Sequence, residues 1–208
     1  MKIVVLASAL VAMTAAVATP KLEAASLARN AVFEAGSDTM PRFGSPPPPG
    51  IGGPVDLVDD RGERFTNARL QGRPALVFFG LTHCGITCPV ALATAKQLLA
   101  SASVMRAPAV VFVTLDPLND DAATLHQFLS NFDRRLIGLT GTPAQIERTA
   151  DRFGVGTRNT DGRLEHSSMW YLLDGHGRVR RVYGINTPAA QLASDVERLG
   201  KEDSGDMR

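Results

Sequence analysis

The sequence predicts an α/β domain, a mixed β-sheet with helices on both faces and a β-hairpin at its N-terminal end. Three observations carry this expectation. After residue 54, short apolar runs rich in β-branched and aromatic residues alternate with stretches of helical apolar spacing. Two of the runs, 75–79 and 109–115, are continuously apolar, as strands buried on both faces are. The last two runs are separated only by a glycine-containing turn and are followed by a helix, so the sheet ends on an antiparallel pair. Composition sets the frame. At roughly 150 residues per domain, 208 residues make one domain with appendages. With 44% hydrophobic and 21% charged residues the chain is too apolar for generic disorder and too mixed for a multi-span membrane protein. A net charge of +1 gives no electrostatic case for nucleic acid or an anionic membrane surface.

Read in order, the chain opens on Met1-Lys2 and an apolar run from Ile3 to Ala18 that ends in small residues. The run is shorter than the roughly 20 residues that span a bilayer. It is therefore read as a secretory signal rather than a retained anchor, with residues 1–25 as the leader because a second small-residue cut lies at Ala24-Ala25. No cysteine follows it to carry a lipid. The expected location is the periplasm or, if the leader is kept, the outer face of the inner membrane. Residues 26–53 show no persistent period, and the four prolines of Ser45–Gly50 read as a stiff, extended linker. The folded domain is expected over 54–200, with a polar tail over 201–208.

Within the domain, 55–58 and 63–65 flank Asp59-Asp60-Arg61-Gly62 as a hairpin. Ala75–Phe79, closed by Gly80, is a buried central strand. Pro89 to about Ala102 is a helix with Leu92, Ala95 and Leu99 on one face. Ala109–Leu115 is a second buried strand, and the next helix carries Leu125, Phe128, Leu129 and Phe132 as its stripe. A short strand over Leu136–Leu139 precedes Thr142-Pro143-Ala144-Gln145, an N-cap, a proline at the first helical position and a capping-box glutamine. Met169–Leu173 and Val179–Tyr183 form a second hairpin across Asp174–Gly177. Thr187-Pro188 then starts a last helix carrying Leu192, Val196 and Leu199, which Gly200 is expected to stop. This order describes a thioredoxin-like architecture with an added N-terminal hairpin.

The chain has two cysteines, and they lie close together in Thr82-His83-Cys84-Gly85-Ile86-Thr87-Cys88-Pro89. The motif falls where the central strand gives way to a helix, at the carboxyl edge of the sheet where α/β folds place ligands. With Pro89 at the first helical position, Cys88 sits at the helix N-terminus and Cys84 just above it. Free amides and the helix dipole there favour thiolates on both sulfurs. Two cysteines alone cannot make a four-thiolate zinc site. Three intervening residues allow a disulfide, but they also allow an ion between the sulfurs. Redox chemistry, soft-metal binding and a structural disulfide all fit the spacing.

At these residues the chain resembles the Sco (SenC) copper-chaperone family, through Phe79-Gly80-Leu81-Thr82-His83-Cys84-Gly85-Ile86-Thr87-Cys88-Pro89. Val113–Pro117, Leu136–Pro143 and His166–Asp174 resemble further blocks of that family in order and spacing. The resemblance covers 54–199. It departs at Gly85, where the family has proline, at Leu81, where it has an aromatic, and at Asn119-Asp120, where it often has Arg-Asp. The first two would loosen the loop and the third would alter the setting of Asp116; none removes a ligand. The resemblance implies that copper, as Cu(I) or Cu(II), is held by Cys84, Cys88 and His166. Thiolates suit Cu(I) and imidazole suits both oxidation states. Asp116, at a neighbouring strand's end, is expected to approach the cysteines or to orient His166 from behind. His166 is read as the start of the strand that includes Met169, with Ser168 and Trp170 on its own side. His83, His126 and His176 are read as solvent-facing or turn residues.

Two functions compete. A periplasmic copper metallochaperone would take copper from a donor protein. As the resemblance implies, it would help mature the dinuclear copper centre of cytochrome c oxidase, through subunit II, or serve another cuproprotein. A thiol–disulfide oxidoreductase would instead use Cys84 and Cys88 as a redox-active pair to reduce a partner's cysteines. The longer spacing favours metal, as does the absence of a proline just before Met169, where thioredoxin-type reductases usually carry a cis-proline. A peroxidase of the same fold needs Thr-x-x-Cys, and Thr82-His83-Cys84 is one residue short.

Overall fold

The central strand of the computed structural model is β3, Ala75–Gly80, buried at all of its positions. The structure describes residues 44–70, 72–101, 107–160 and 163–205. The expected leader, most of the expected linker and the last three residues of the tail lie outside them. On one side β3 pairs in parallel with β4, Ala109–Thr114, and β4 with β5, Ile137–Thr140. On its other side β3 pairs antiparallel with β8, Met169–Leu173, which pairs antiparallel with β9, Val179–Gly184. The N-terminal hairpin, β1 (Asp56–Asp59) and β2 (Arg64–Thr66), joins the far edge through an antiparallel β1–β5 ladder. The seven-stranded order is β2-β1-β5-β4-β3-β8-β9. This is the mixed sheet that the alternating pattern predicts.

Alternation along β3 and β4 builds a core on each face of the sheet. Leu76 and Phe78 of β3 and Val110 and Phe112 of β4 meet Leu92, Ala95 and Leu99 of α1, Thr87–Ser101. Leu125 and Leu129 of α2, Ala122–Ser130, and Leu192 and Val196 of α4, Ala189–Gly205, complete that face. Val77, Phe79, Val111 and Val113 pack on the opposite face, against Ile146 and Ala150 of α3, Pro143–Arg152. Phe79 stacks 5.3 Å from Phe153 and 5.9 Å, edge-on, from Tyr171.

Local chemistry sets the ends. Asp121 caps α2 by accepting from Thr124 N at 2.8 Å. Thr142 and Gln145 form the expected capping box of α3, with Pro143 in its first turn. Gly62 and Gly177 supply the positive φ, +82° and +79°, that the two hairpin turns need.

The structure differs from expectation in four places. Gly200 does not stop the last helix, which runs to Gly205 through the expected tail. Gly200 takes no left-handed conformation, and one interior glycine costs only about 1 kcal/mol in a packed helix. The second boundary is at the front. Ser45 N and O pair with Val182 O and N, both at 2.9 Å, and Gly52 N donates to Arg152 O at 2.7 Å. Ser45 keeps the donor that the following prolines lack, so it completes the β9 edge, and the packed body begins there rather than at Pro54. Third, α2 ends at Ser130 with Asn131 as its cap, which leaves Phe132 half-buried beyond the helix. Fourth, a separate two-stranded hairpin, β6 (Thr157–Thr160) and β7 (Arg163–His166), stands before β8.

Phe79→Ala empties the face of the sheet opposite α1. It is expected to cost about 3–5 kcal/mol, read as a lower urea midpoint with an unchanged slope. The reactivity of the two cysteines in the folded protein should not move, because the lost ring faces away from them.

Candidate metal centre

The cysteine turn begins where β3 ends. Cys84 N donates to Leu81 O at 3.3 Å, and Val90 N to Ile86 O at 3.1 Å closes the first turn of α1. The helix starts at Thr87, so Cys88 is its second residue and Pro89 its third, two positions deeper than a proline at the first position would be. Proline is still tolerated there, because amides of the first turn have no partner within the helix. Cys88 is fully buried, and Cys84 is partly exposed above it. Gly80 makes this depth possible. A Cβ on Gly80 would stand 2.7 Å from Cys88 Sγ and 2.9 Å from the Phe112 ring. Close approach, not backbone freedom, is what requires glycine at this position. At Gly85 the opposite holds: nothing lies within 4 Å of a Cβ there.

His166 is the last residue of β7, not the first of the strand containing Met169. Thr157 pairs with His166, Ser167 N donates to Gly156 O at 3.0 Å, and Gly156 N donates to Ser167 Oγ at 3.1 Å. The chain is therefore pinned immediately after the histidine. The antiparallel register then brings it to the sulfurs. Phe78 faces Trp170 across the β3–β8 ladder, so the residues just before β8 arrive beside the carboxyl end of β3. Ser168 and Trp170 do not share a strand with His166, because Ser167 and Ser168 interrupt it.

One ligand atom each from Cys84, Cys88 and His166 lie within 4.8 Å of one another. A common ion at bond lengths of about 2.0–2.3 Å is reached if each ligand closes in by at most about 0.5–0.8 Å. His166 Nδ1 is 3.1 Å from Ser167 O. A carbonyl only accepts, so Nδ1 carries the proton and Nε2 keeps its lone pair for a metal. Burial holds the His166 pKa below the ordinary histidine range, opposed by that hydrogen bond. The ring is thus neutral, as a ligand must be.

The sulfurs do not both behave as the helix N-terminus alone would predict. Burial pushes the Cys88 thiol pKa far up. A backbone hydrogen bond from Leu81 opposes this, while Cys84 and the carboxylate of Asp120 add to the rise. In the apo protein Cys88 is a thiol, and desolvation outweighs the helix dipole. Both cysteines are free.

Asp116 stands beside the centre through a different histidine. Its Oδ2 accepts from Asn119 Nδ2 at 2.8 Å and lies 3.5 Å from His83 Nε2. Its described partners include neither cysteine nor His166. The buried carboxylate next to the sulfurs is Asp120, which the sequence singled out only within a departure from the family pattern. Asp120 accepts from Thr82 N at 3.1 Å, Thr82 Oγ1 at 2.5 Å and Thr114 Oγ1 at 2.6 Å. Its own carbonyl accepts from Thr140 Oγ1 at 2.9 Å. Three donors replace the water it loses, and through Thr82 they lock the start of the cysteine turn onto β4 and β5. Of the other histidines, His126 pairs with Asp60 at 2.9 Å on the hairpin edge of the sheet, and His176 sits in the β8–β9 turn, where its amide bonds Asp174. Neither approaches the cysteines.

A family model described as SCO1/SenC matches residues 44–201. A SCO2-like protein of Rickettsia prowazekii is 32% identical over 150 residues, which cover 68% of this chain and 73% of that protein. The structure of Bradyrhizobium japonicum ScoI with copper bound is 33% identical, with a TM-score of 0.66, over 72% of this chain and 99% of that one. Arabidopsis thaliana ScoI with copper bound is 30% identical, with a TM-score of 0.65, over 73% and 99%.

The burial of Cys88 sets a reactivity that can be measured. In Cys84→Ser, alkylation of the remaining thiol is expected to be slow at pH 7 and to accelerate tenfold per pH unit, still rising at pH 10, because the thiolate fraction tracks pH below a raised pKa. A rate that levels off by pH 9 would contradict the buried, protonated thiol.

Proposed function

The chain belongs to the SCO1/SenC family, and we propose that it is an exported copper metallochaperone. It takes copper from a donor protein and passes it to the dinuclear centre of cytochrome c oxidase subunit II or to another cuproprotein. The observation that carries this reading is the convergence of two sulfurs and one neutral imidazole within 4.8 Å. Soft thiolates select Cu(I), and imidazole serves Cu(I) and Cu(II) alike. Two relatives of the same fold, at 30% and 33% identity, hold copper in their structures. Export accounts for the apolar leader of the sequence. Among the described residues no helix is long and apolar enough to cross a membrane.

The geometry supports a site that loads and unloads. An arriving Cu(I) displaces the thiol protons of Cys84 and Cys88 to solvent, so that two thiolates and a neutral ring hold it with net charge −1. Three ligands leave one side of the ion open. A receiving protein's ligand enters there and Cys84, the more exposed sulfur, leaves first. Each exchange makes one metal–ligand bond and breaks another, and no electron moves. The buried Cys88 and the pinned His166 retain the ion until the new ligands are in place.

A thiol–disulfide reading also has a specific observation behind it, because both cysteines are free and their sulfurs lie within 4.8 Å of each other. In that role the two thiols reduce a partner disulfide. The protein's S–S bond forms, the partner's breaks, and two electrons and two protons pass to the partner's sulfurs. His166 has no part in that exchange, and this separates the readings.

One copper per chain is expected. His166→Ala should lower Cu(I) affinity about a hundredfold or more in a competitive chelator titration, while dithiol exchange persists. Equal affinity in parent and variant would overturn the three-ligand site. Copper affinity should also rise at least tenfold per pH unit between pH 6 and 8, with proton release measured in weak buffer, because Cys88 must lose its proton to bind. Oxidation to a Cys84–Cys88 disulfide should abolish binding.

A further inference from the structure

The described surface has three exposed large apolar side chains, and all three belong to the elements around the mouth of the metal centre. Ile86 is 80% exposed, Leu118 82% and Val90 43%. Ile86 is the middle residue between the two cysteines. Val90 lies one helical turn further on, its amide bonded to the carbonyl of Ile86, the residue just before α1, so the two lie on the same side of the helix start. Leu118 projects from a turn closed by Asn119 N and Asp120 N on Asp116 O, at 3.2 and 2.9 Å. That turn is tied to the cysteine loop twice, by Thr82 to Asp120 and by His83 facing Asp116. Single exposed leucines need no explanation, but a cluster of apolar side chains rimmed by polar groups marks a contact surface. The charge is one-sided as well. Over 81–90 and 115–121 there is no Lys or Arg, and the carboxylates that reach solvent are Asp116 and Asp121, Asp120 being buried.

We propose that Ile86, Val90 and Leu118 form the docking face for the protein that receives the ion, a partner presenting its own thiolate, thioether or imidazole ligands within an apolar surface edged by Lys or Arg. The proposal rests on the metallochaperone reading and adds the kind of partner. Ligand exchange needs the partner's donor atom within bonding distance of an ion held by Cys84, Cys88 and His166. The turn that carries Ile86 also carries both sulfurs, so a protein that brings a ligand to the open side of the ion meets Ile86 on the way. Apolar contact expels water from the junction, and the ion then passes between protein ligands without being hydrated. On these two turns the acidic, lysine-free margin attracts a basic rim and repels a carboxylate-rich one, which gives selectivity.

The test uses the full chain and the double variant Ile86→Ser/Leu118→Ser, both loaded with Cu(I). The acceptors are the small chelator bathocuproine disulfonate and the reduced, copper-free soluble domain of a cytochrome c oxidase subunit II. Parent and variant should bind one Cu(I) with equal affinity and yield it to the chelator at equal rates. Transfer to the protein acceptor should be at least tenfold slower from the variant at limiting acceptor concentration. Equal transfer to the protein acceptor would overturn the proposal. So would equal slowing toward both acceptors, since the residues would then shape the site rather than a docking face. Self-association of the parent that the variant abolishes would overturn it too, because a second copy would then be the occupant. A copper-free arm separates this proposal from the metallochaperone reading. In the ¹⁵N-labelled apo chain, the acceptor domain should shift amide signals of 81–90 and 115–121 in the parent and not in the variant, and no shift in the parent would sink the docking face whatever the copper result.

Discussion

The antiparallel pairing of β8 with β3 is the constraint on which the rest of the centre depends. Parallel neighbours such as β4 send their carboxyl ends to the same edge as β3, so they can supply only residues that come after a strand. An antiparallel neighbour brings the residues ahead of it. With Phe78 opposite Trp170, the chain before Met169 must arrive beside Gly80, and His166 comes with it from some eighty positions downstream. A shift of one residue in that register would turn Trp170 out of the core it shares with Phe78, at 5.1 Å, so the buried face fixes the ladder and the ladder fixes the histidine. The β6–β7 hairpin and the Ser167 bonds to Gly156 then hold the ring's last few ångströms.

Two opposing electrostatic demands meet at Cys88. A metal ligand must be deprotonated, yet this sulfur lies in the apolar core, with a carboxylate near it and the dipole of α1 as partial compensation. The outcome in the empty protein is a protonated thiol. A soft cation removes the conflict, because the metal–sulfur bond supplies the charge that burial withholds. The same burial that discourages a free thiolate shields the metal–sulfur bond from water. Asp120 belongs to this balance through its three hydrogen-bond donors, which let a carboxylate sit in the interior without a cation among its described partners.

Much of the fold was legible in the sequence because its signals are local. The runs at 75–79 and 109–115, the Thr142–Gln145 box and the Asp-rich hairpin turns state their structure within a few residues. The cysteine turn was equally plain. The features that failed to show depend on tertiary balance. Gly200 looks like a helix stop, but the apolar stripe of Leu192, Val196 and Leu199 outweighs one glycine. Ser45 looks like linker until β9 offers it an edge. The β6–β7 hairpin does have a local signal, the Asp161-Gly162 dipeptide between Thr160 and Arg163. Unless that signal is weighed, His166 is assigned to the wrong strand. Asp116 and Asp120 lie four residues apart in one turn, and no spacing rule says which of two carboxylates turns inward. Burial decides that, and Thr82 and Thr114 are the residues that reward it.

The bridge between Ser45 and Val182 has a practical bearing. β9 is the outer strand of the sheet, and Ser45 occupies part of its otherwise open ladder. The four prolines beyond it run between this bridge and the Gly52–Arg152 bond, so they form a brace laid across the body instead of a free leash. A shortened protein beginning at Pro54 would bare the amide and carbonyl of Val182 and lose the cover of the brace over the strip beside them. Such an uncapped margin is a template for lateral strand addition, and trimmed forms would be prone to precipitate although the metal centre itself were intact.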